Sequence, residues 1–109
     1  MTHYVRFEKM KESDFQQAII TLAETCGWLV YHVANVQKQL RSSTSVGFPD
    51  LILVKQQKLV AWECKIPPNK PTYNQNIWIK ALQLAGVECR VITPDDWSYI
   101  QDILMMKGS

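Results

Sequence analysis

The chain has 109 residues, a net charge of +2 and 47% hydrophobic residues, which suffices for one domain with one core and is too little for two. Ordinary apolar content and mixed charge exclude a disordered tail or a coiled coil, and no apolar run in the sequence approaches a bilayer-crossing length. Met1 to Arg6 lack the apolar stretch of a signal peptide, so the expected location is intracellular, in the cytoplasm, without a membrane partner. The three cysteines, Cys26, Cys64 and Cys89, are far apart and form no Cys-x-x-Cys pair. Buried reduced thiols are expected from them rather than a zinc site or a disulfide framework.

A first helix is expected from about Glu12 to Cys26. Phe15, Ile19, Leu22 and Cys26 recur at helical spacing, and Gly27 follows where a C-terminal cap belongs. Trp28 to Ala34 is dense in aromatic and β-branched residues and reads as a strand. His32 within it fits a packed histidine better than a DNA-contacting one, and His3 fits a terminus outside the core. Asn35 to Gly47 is a long loop for so small a domain. No acid occurs from Thr25 to Pro49, while Lys38 and Arg41 lie among Gln, Ser and Thr. That composition suits contact with phosphates, as it also suits a solvated loop.

Next come two apolar runs, Asp50–Val54 and Leu59–Ile66, joined by a short polar turn. A turn centred between Gln56 and Gln57 pairs Lys55 with Lys58 and Val54 with Leu59, and brings Asp50 opposite Glu63. Opposed side chains on one sheet face have Cβ atoms roughly 4.5–5.5 Å apart, and like charges there repel. Lys65 follows two residues after Glu63 on the same face. Leu51, Leu53, Val60 and Trp62 make both strands look buried, so an ordinary surface ion pair explains the charges poorly. A divalent cation explains them well. Oxygen ligands without a His or Cys cluster select Mg²⁺ or Mn²⁺, and a metal-dependent hydrolase is the natural use.

The segment Ile66-Pro-Pro-Asn-Lys-Pro71 cannot be regular structure. Thr72 then opens a second helix that runs to Ala85 and ends at Gly86, with Ile77, Ala81, Leu82 and Trp78 as its buried stripe. Thr72-x-x-Gln75 is a capping box, which would account for Gln75 without any catalytic role. Trp62 and Trp78 read as core rather than as stacking platforms. Val87–Ile92 is a fourth strand, and Thr93-Pro94 starts a last helix that runs to about residue 106. Its Trp97, Ile100, Leu104 and Met105 offer either a dimer surface or core. The order α-β-β-β-α-β-α defines an α/β domain.

Glu12-Ser-Asp-Phe-Gln16, Gly27-Trp28, Gly47-Phe-Pro-Asp50, Glu63-Cys-Lys65, and Thr72-Tyr-Asn-Gln75 with Trp78 together resemble the VRR-NUC (virus-type replication-repair nuclease) family of the PD-(D/E)xK nuclease superfamily. The likeness runs from about Glu12 to Ile92. It implies a restriction-endonuclease-like core, a mixed central sheet flanked by helices, in a single stand-alone domain over residues 1–109. It also implies a DNA endonuclease dependent on Mg²⁺ or Mn²⁺, in which Glu12, Asp50, Glu63 and the Cys64 carbonyl hold the metal. Asp14 is the reserve candidate for Glu12. Asp50, Glu63, Lys65 and Gln75 would be catalytic. Lys65 would serve either as general base or as a charged stabiliser of the phosphate, and Gln75 would position water or phosphate. Lys38, Arg41 and Lys70 would contact DNA. Stand-alone members resemble Holliday-junction resolvases that act as symmetric dimers, so a homodimer acting on branched DNA is expected. The alternatives are a general repair or restriction-type endonuclease, and a catalytically silent nucleic-acid-binding module of the same fold.

Overall fold

The computed structural model describes residues 10–33 and 46–106; His3, Lys38 and Arg41 lie outside them. Helix α1 (Glu12–Thr25) is followed by strands β1 (Leu29–His32), β2 (Leu51–Lys55) and β3 (Lys58–Cys64). Helix α2 (Tyr73–Leu84), strand β4 (Glu88–Ile92), a 3₁₀ turn (Pro94–Asp96) and helix α3 (Trp97–Leu104) complete the order. The sheet order is β1-β2-β3-β4. β2 pairs antiparallel with β1 and β3, whereas β3 and β4 are parallel, which requires the crossover that α2 supplies. The expected mixed α/β architecture is therefore present.

The β2–β3 register pairs Lys55 with Lys58 and Leu51 with Trp62, as a turn between Gln56 and Gln57 requires. Both turn residues have positive φ, 48° and 67°, the backbone that lets a two-residue turn follow the strand twist. Alternation then sorts the sheet into two faces. One carries Leu51, Leu53, Val60, Trp62, Cys64 and Ile92, which form the main core with Phe15 and Ile19 of α1 and Ile100 and Leu104 of α3. The other carries Ala61 and Cys89 beneath Ile79 of α2. The Trp28 indole N–H donates to the Leu104 carbonyl at 2.8 Å, tying the start of the sheet to α3. The Lys55 ammonium donates to the Cys26 carbonyl, a cation on the negative end of α1.

Two expectations are corrected, and one open alternative is decided. Ile77 of α2 is 48% exposed and Ala81 is exposed, whereas Ile79 is buried; the inward stripe keeps the expected Leu82 and Trp78 and takes Ile79 in place of the other two. His32 is exposed because β1 is an edge strand. Ile100 and Leu104 are fully buried in the core, so the last helix has no free apolar face made from them, and Met105 alone of the four named is exposed there.

Candidate active site

The site is built at the end of β2 and β3, on the face that α2 covers. Glu63 lies within β3, and Asp50 immediately precedes β2; extending the ladder by one residue sets them opposite each other. Asp50 is held from two sides. Its carbonyl accepts from the Val33 N–H at 2.8 Å, and its carboxylate Oδ2 accepts from the Cys64 N–H at 2.9 Å. Glu63 is 1% exposed, and neither of its carboxylate oxygens has a hydrogen-bond partner among the described residues. The Lys65 ammonium stands 3.7 Å from Glu63 Oε2, near enough for attraction and beyond hydrogen-bond length.

An ionised carboxylate in such a place costs several kcal/mol unless it is paired and hydrogen-bonded. The Glu63 carboxyl responds by holding its proton up to about pH 8. Burial is the largest cause, the Asp50 charge is next, and Lys65 opposes both. Two carboxylates can hydrogen-bond to each other only if one is protonated. A protonated Glu63 can donate to Asp50, and this raises Glu63 further.

Glu12, in the first turn of α1, belongs to the same electrostatic group. Its carboxyl is raised, first by burial and then by Asp50, with Lys65 lowering it. Asp14 does not join. It is exposed, and its Oδ2 accepts from the Lys11 N–H at 3.3 Å, capping α1. Gln16, one turn beyond Glu12, is 7% exposed. It is the buried polar residue on that helix, a place that hydrophobic periodicity alone does not flag. The Cys64 side chain points into the main core, away from the acids. Burial, then Asp50, pushes its thiol far up, so the sulfur stays protonated and only the backbone of Cys64 can serve the site.

Gln75 closes the capping box of α2. Its Oε1 accepts from the Thr72 N–H at 2.8 Å, and its own N–H donates to Thr72 Oγ1 at 3.2 Å. Lys70 is exposed in the proline-rich segment before α2. The loop that delivers Asp50 lies directly on α2. Gly47 has φ +96°, and a Cβ there would fall 2.6 Å from the Asn74 carbonyl carbon and 2.8 Å from the Gln75 nitrogen. No side chain fits between those backbones.

Among the described residues, no group of three or more His, Cys, Asp or Glu side chains has a geometry that could hold a metal ion. Asp50 spends one oxygen on Cys64. The orphaned pair of oxygens on Glu63 is nonetheless the donor chemistry that a hard divalent cation takes, and Asp50 and Glu12 bring matching charge. No helix among the described residues is long and apolar enough to cross a membrane. Compared with known proteins, the chain matches no family model, no curated protein and no solved structure.

Proposed function

We propose that this protein is a divalent-metal-dependent DNA endonuclease with a restriction-endonuclease-like core of the VRR-NUC type, acting on branched DNA as a homodimer. The observation that carries the reading is Glu63. A fully buried carboxyl whose oxygens have no hydrogen-bond partner among the described residues, beside a second acid and 3.7 Å from the Lys65 ammonium, ionises only at a cost that a bound divalent cation would offset. Glu12, Asp50, Glu63 and the Cys64 carbonyl would hold Mg²⁺ or Mn²⁺. When bound, such an ion polarises a phosphoryl oxygen and lowers the pKa of a coordinated water.

The chain's own residues supply the remaining chemistry. Asp50, fixed by the Val33 and Cys64 amides, gives a rigid acid beside the scissile phosphate. Lys65 puts its Nζ next to Glu63, where as a neutral amine it would take the proton of the attacking water, and as an ammonium it would hydrogen-bond to the phosphoryl oxygens as charge develops. Gln75 contributes its amide from the first turn of α2. Lys70, with Lys38 and Arg41, holds the DNA backbone.

The test is cleavage of labelled four-way junction, flap, splayed arm, duplex and single strand with Mg²⁺ or Mn²⁺, alongside light scattering at micromolar concentration. A monomer that cuts duplex as fast as a junction would leave the nuclease and remove the resolvase-like substrate choice. A second reading, a silent nucleic-acid-binding module, is favoured by two features: the Asp50 carboxylate is turned to Cys64, and no metal-shaped group stands among the described residues. A Mn²⁺-dependent rise in melting temperature separates the two, since only the enzyme should show it.

A further inference from the structure

We infer that Trp78 is a positioning residue for Asp50, acting through Phe48 and the short loop that carries the acid; its consequence for DNA cleavage rests on the nuclease reading, whereas the positioning itself does not. Two successive loop residues grip two successive turns of α2. Gly47 lies against the backbone of Asn74 and Gln75 so closely that a Cβ would come within 2.6 Å. One turn on, at the helical spacing that stacks residues on one face, the half-buried Trp78 meets Phe48 edge-to-face, with ring centroids 4.9 Å apart and an interplanar angle of 83°. Such an arrangement is directional as well as apolar. Pro49, which follows, is fully buried with its φ fixed by the ring. Little slack separates the aromatic contact from Asp50.

Asp50 is therefore located from three sides: by Val33 just after β1, by Cys64 of β3, and by α2 through Phe48. The first two fix the backbone and one carboxylate oxygen. The third sets the height of the loop over the sheet. α2 also carries Gln75, so the same contact keeps the first turn of that helix in register with the acids. Small misplacements of a reacting group are expensive, on the order of 10²-fold for about 1 Å.

The experiment compares the parent with Trp78→Ala, Trp78→Phe and Phe48→Leu, with Asp50→Ala as reference. The first readout is the proton shift and exchange rate of the Cys64 amide, which report its hydrogen bond to Asp50 and need no catalysis. The second is Mn²⁺ affinity by calorimetry, and the third is the kcat and KM of DNA cleavage. In Trp78→Ala and Phe48→Leu the Cys64 amide should move toward its Asp50→Ala position and exchange at least about tenfold faster. Mn²⁺ affinity should fall roughly tenfold, and kcat should fall with little change in KM. Trp78→Phe should restore most of each. If Trp78→Ala does not fold, Phe48→Leu severs the same contact from the loop side and decides the matter. A folded variant whose Cys64 amide matches the parent overturns the positioning role, as does a Trp78→Phe protein no better than Trp78→Ala. A parent that cleaves no DNA overturns the nuclease reading and leaves the amide readout to judge Trp78.

Discussion

The carboxylate of Asp50 accepts a hydrogen bond from the amide of Cys64 at 2.9 Å, so the acid before β2 is locked to the residue that follows the buried Glu63. One bond thus sets the spacing of the two acids. It holds the two acids together at the end of the hairpin, beyond the last paired residues Leu51 and Trp62.

If those acids and Lys65 are the reacting groups, Asp50→Asn, Glu63→Gln and Lys65→Ala should each lower the cleavage rate by at least about 10²-fold while circular dichroism shows the fold intact. A folded variant that retains robust cleavage removes its residue from the catalytic set.

The pH dependence of stability has a definite sign. The Glu63 carboxyl is raised from its ordinary value to about 8 by burial and by Asp50, so between about pH 4.5 and 8 the folded state binds more protons than the unfolded one. Its contribution is fully present below the ordinary carboxylate range and is lost as pH rises through about 8. Without added metal, the parent should lose stability with a slope approaching about 1.4 kcal/mol per pH unit at most. Glu63→Gln should lack this loss and be the more stable protein at pH 9. Parallel melting-temperature curves for the two would show that Glu63 is not crowded.

Much of this was legible in the sequence. The hairpin register follows from the Gln56–Gln57 turn, and the opposition of Asp50 and Glu63 follows from the register. The fully buried Trp62 follows from its place in an apolar strand. The inward stripe of α2 was not legible. Ile77 and Ala81 compete with Trp78, Ile79 and Leu82 on a helix that is apolar on several sides, and the choice is made by distant partners: Ala61 and Cys89 beneath Ile79, and Phe48 against Trp78. The exposure of His32 escaped for a related reason, since a strand's sequence does not say that it will lie at an edge. Gly47 reads locally as a turn residue, whereas its demand for no side chain comes from the Asn74–Gln75 backbone.

Metal binding should be coupled to proton release. A cation displaces the proton that Glu63 holds up to about pH 8, so Mn²⁺ affinity should rise by about tenfold per pH unit from pH 6 to 8 and level off above. Calorimetry in buffers of different ionisation enthalpy should count close to one proton released near pH 7. Affinity that does not vary with pH would mean that Glu63 is not displaced from its proton by the metal.

Lys38 and Arg41 should contribute to DNA affinity rather than to chemistry, because the acid-free stretch of sequence in which they lie leads into Gly47-Phe-Pro-Asp50. Replacing both with Ala should weaken binding to all substrates and shallow the log–log salt dependence by roughly one to two units. An unchanged slope at unchanged affinity would remove both residues from the DNA contact.

The most direct measurement is the rate at which the parent and Glu63→Gln cut a labelled four-way junction as Mg²⁺ or Mn²⁺ is titrated in and then chelated. The parent should yield product only with the metal and stop on chelation, while the folded Glu63→Gln protein should yield none above background. Cleavage that survives chelation, or equal cleavage by Glu63→Gln, would contradict a metal-dependent nuclease built on this buried acid.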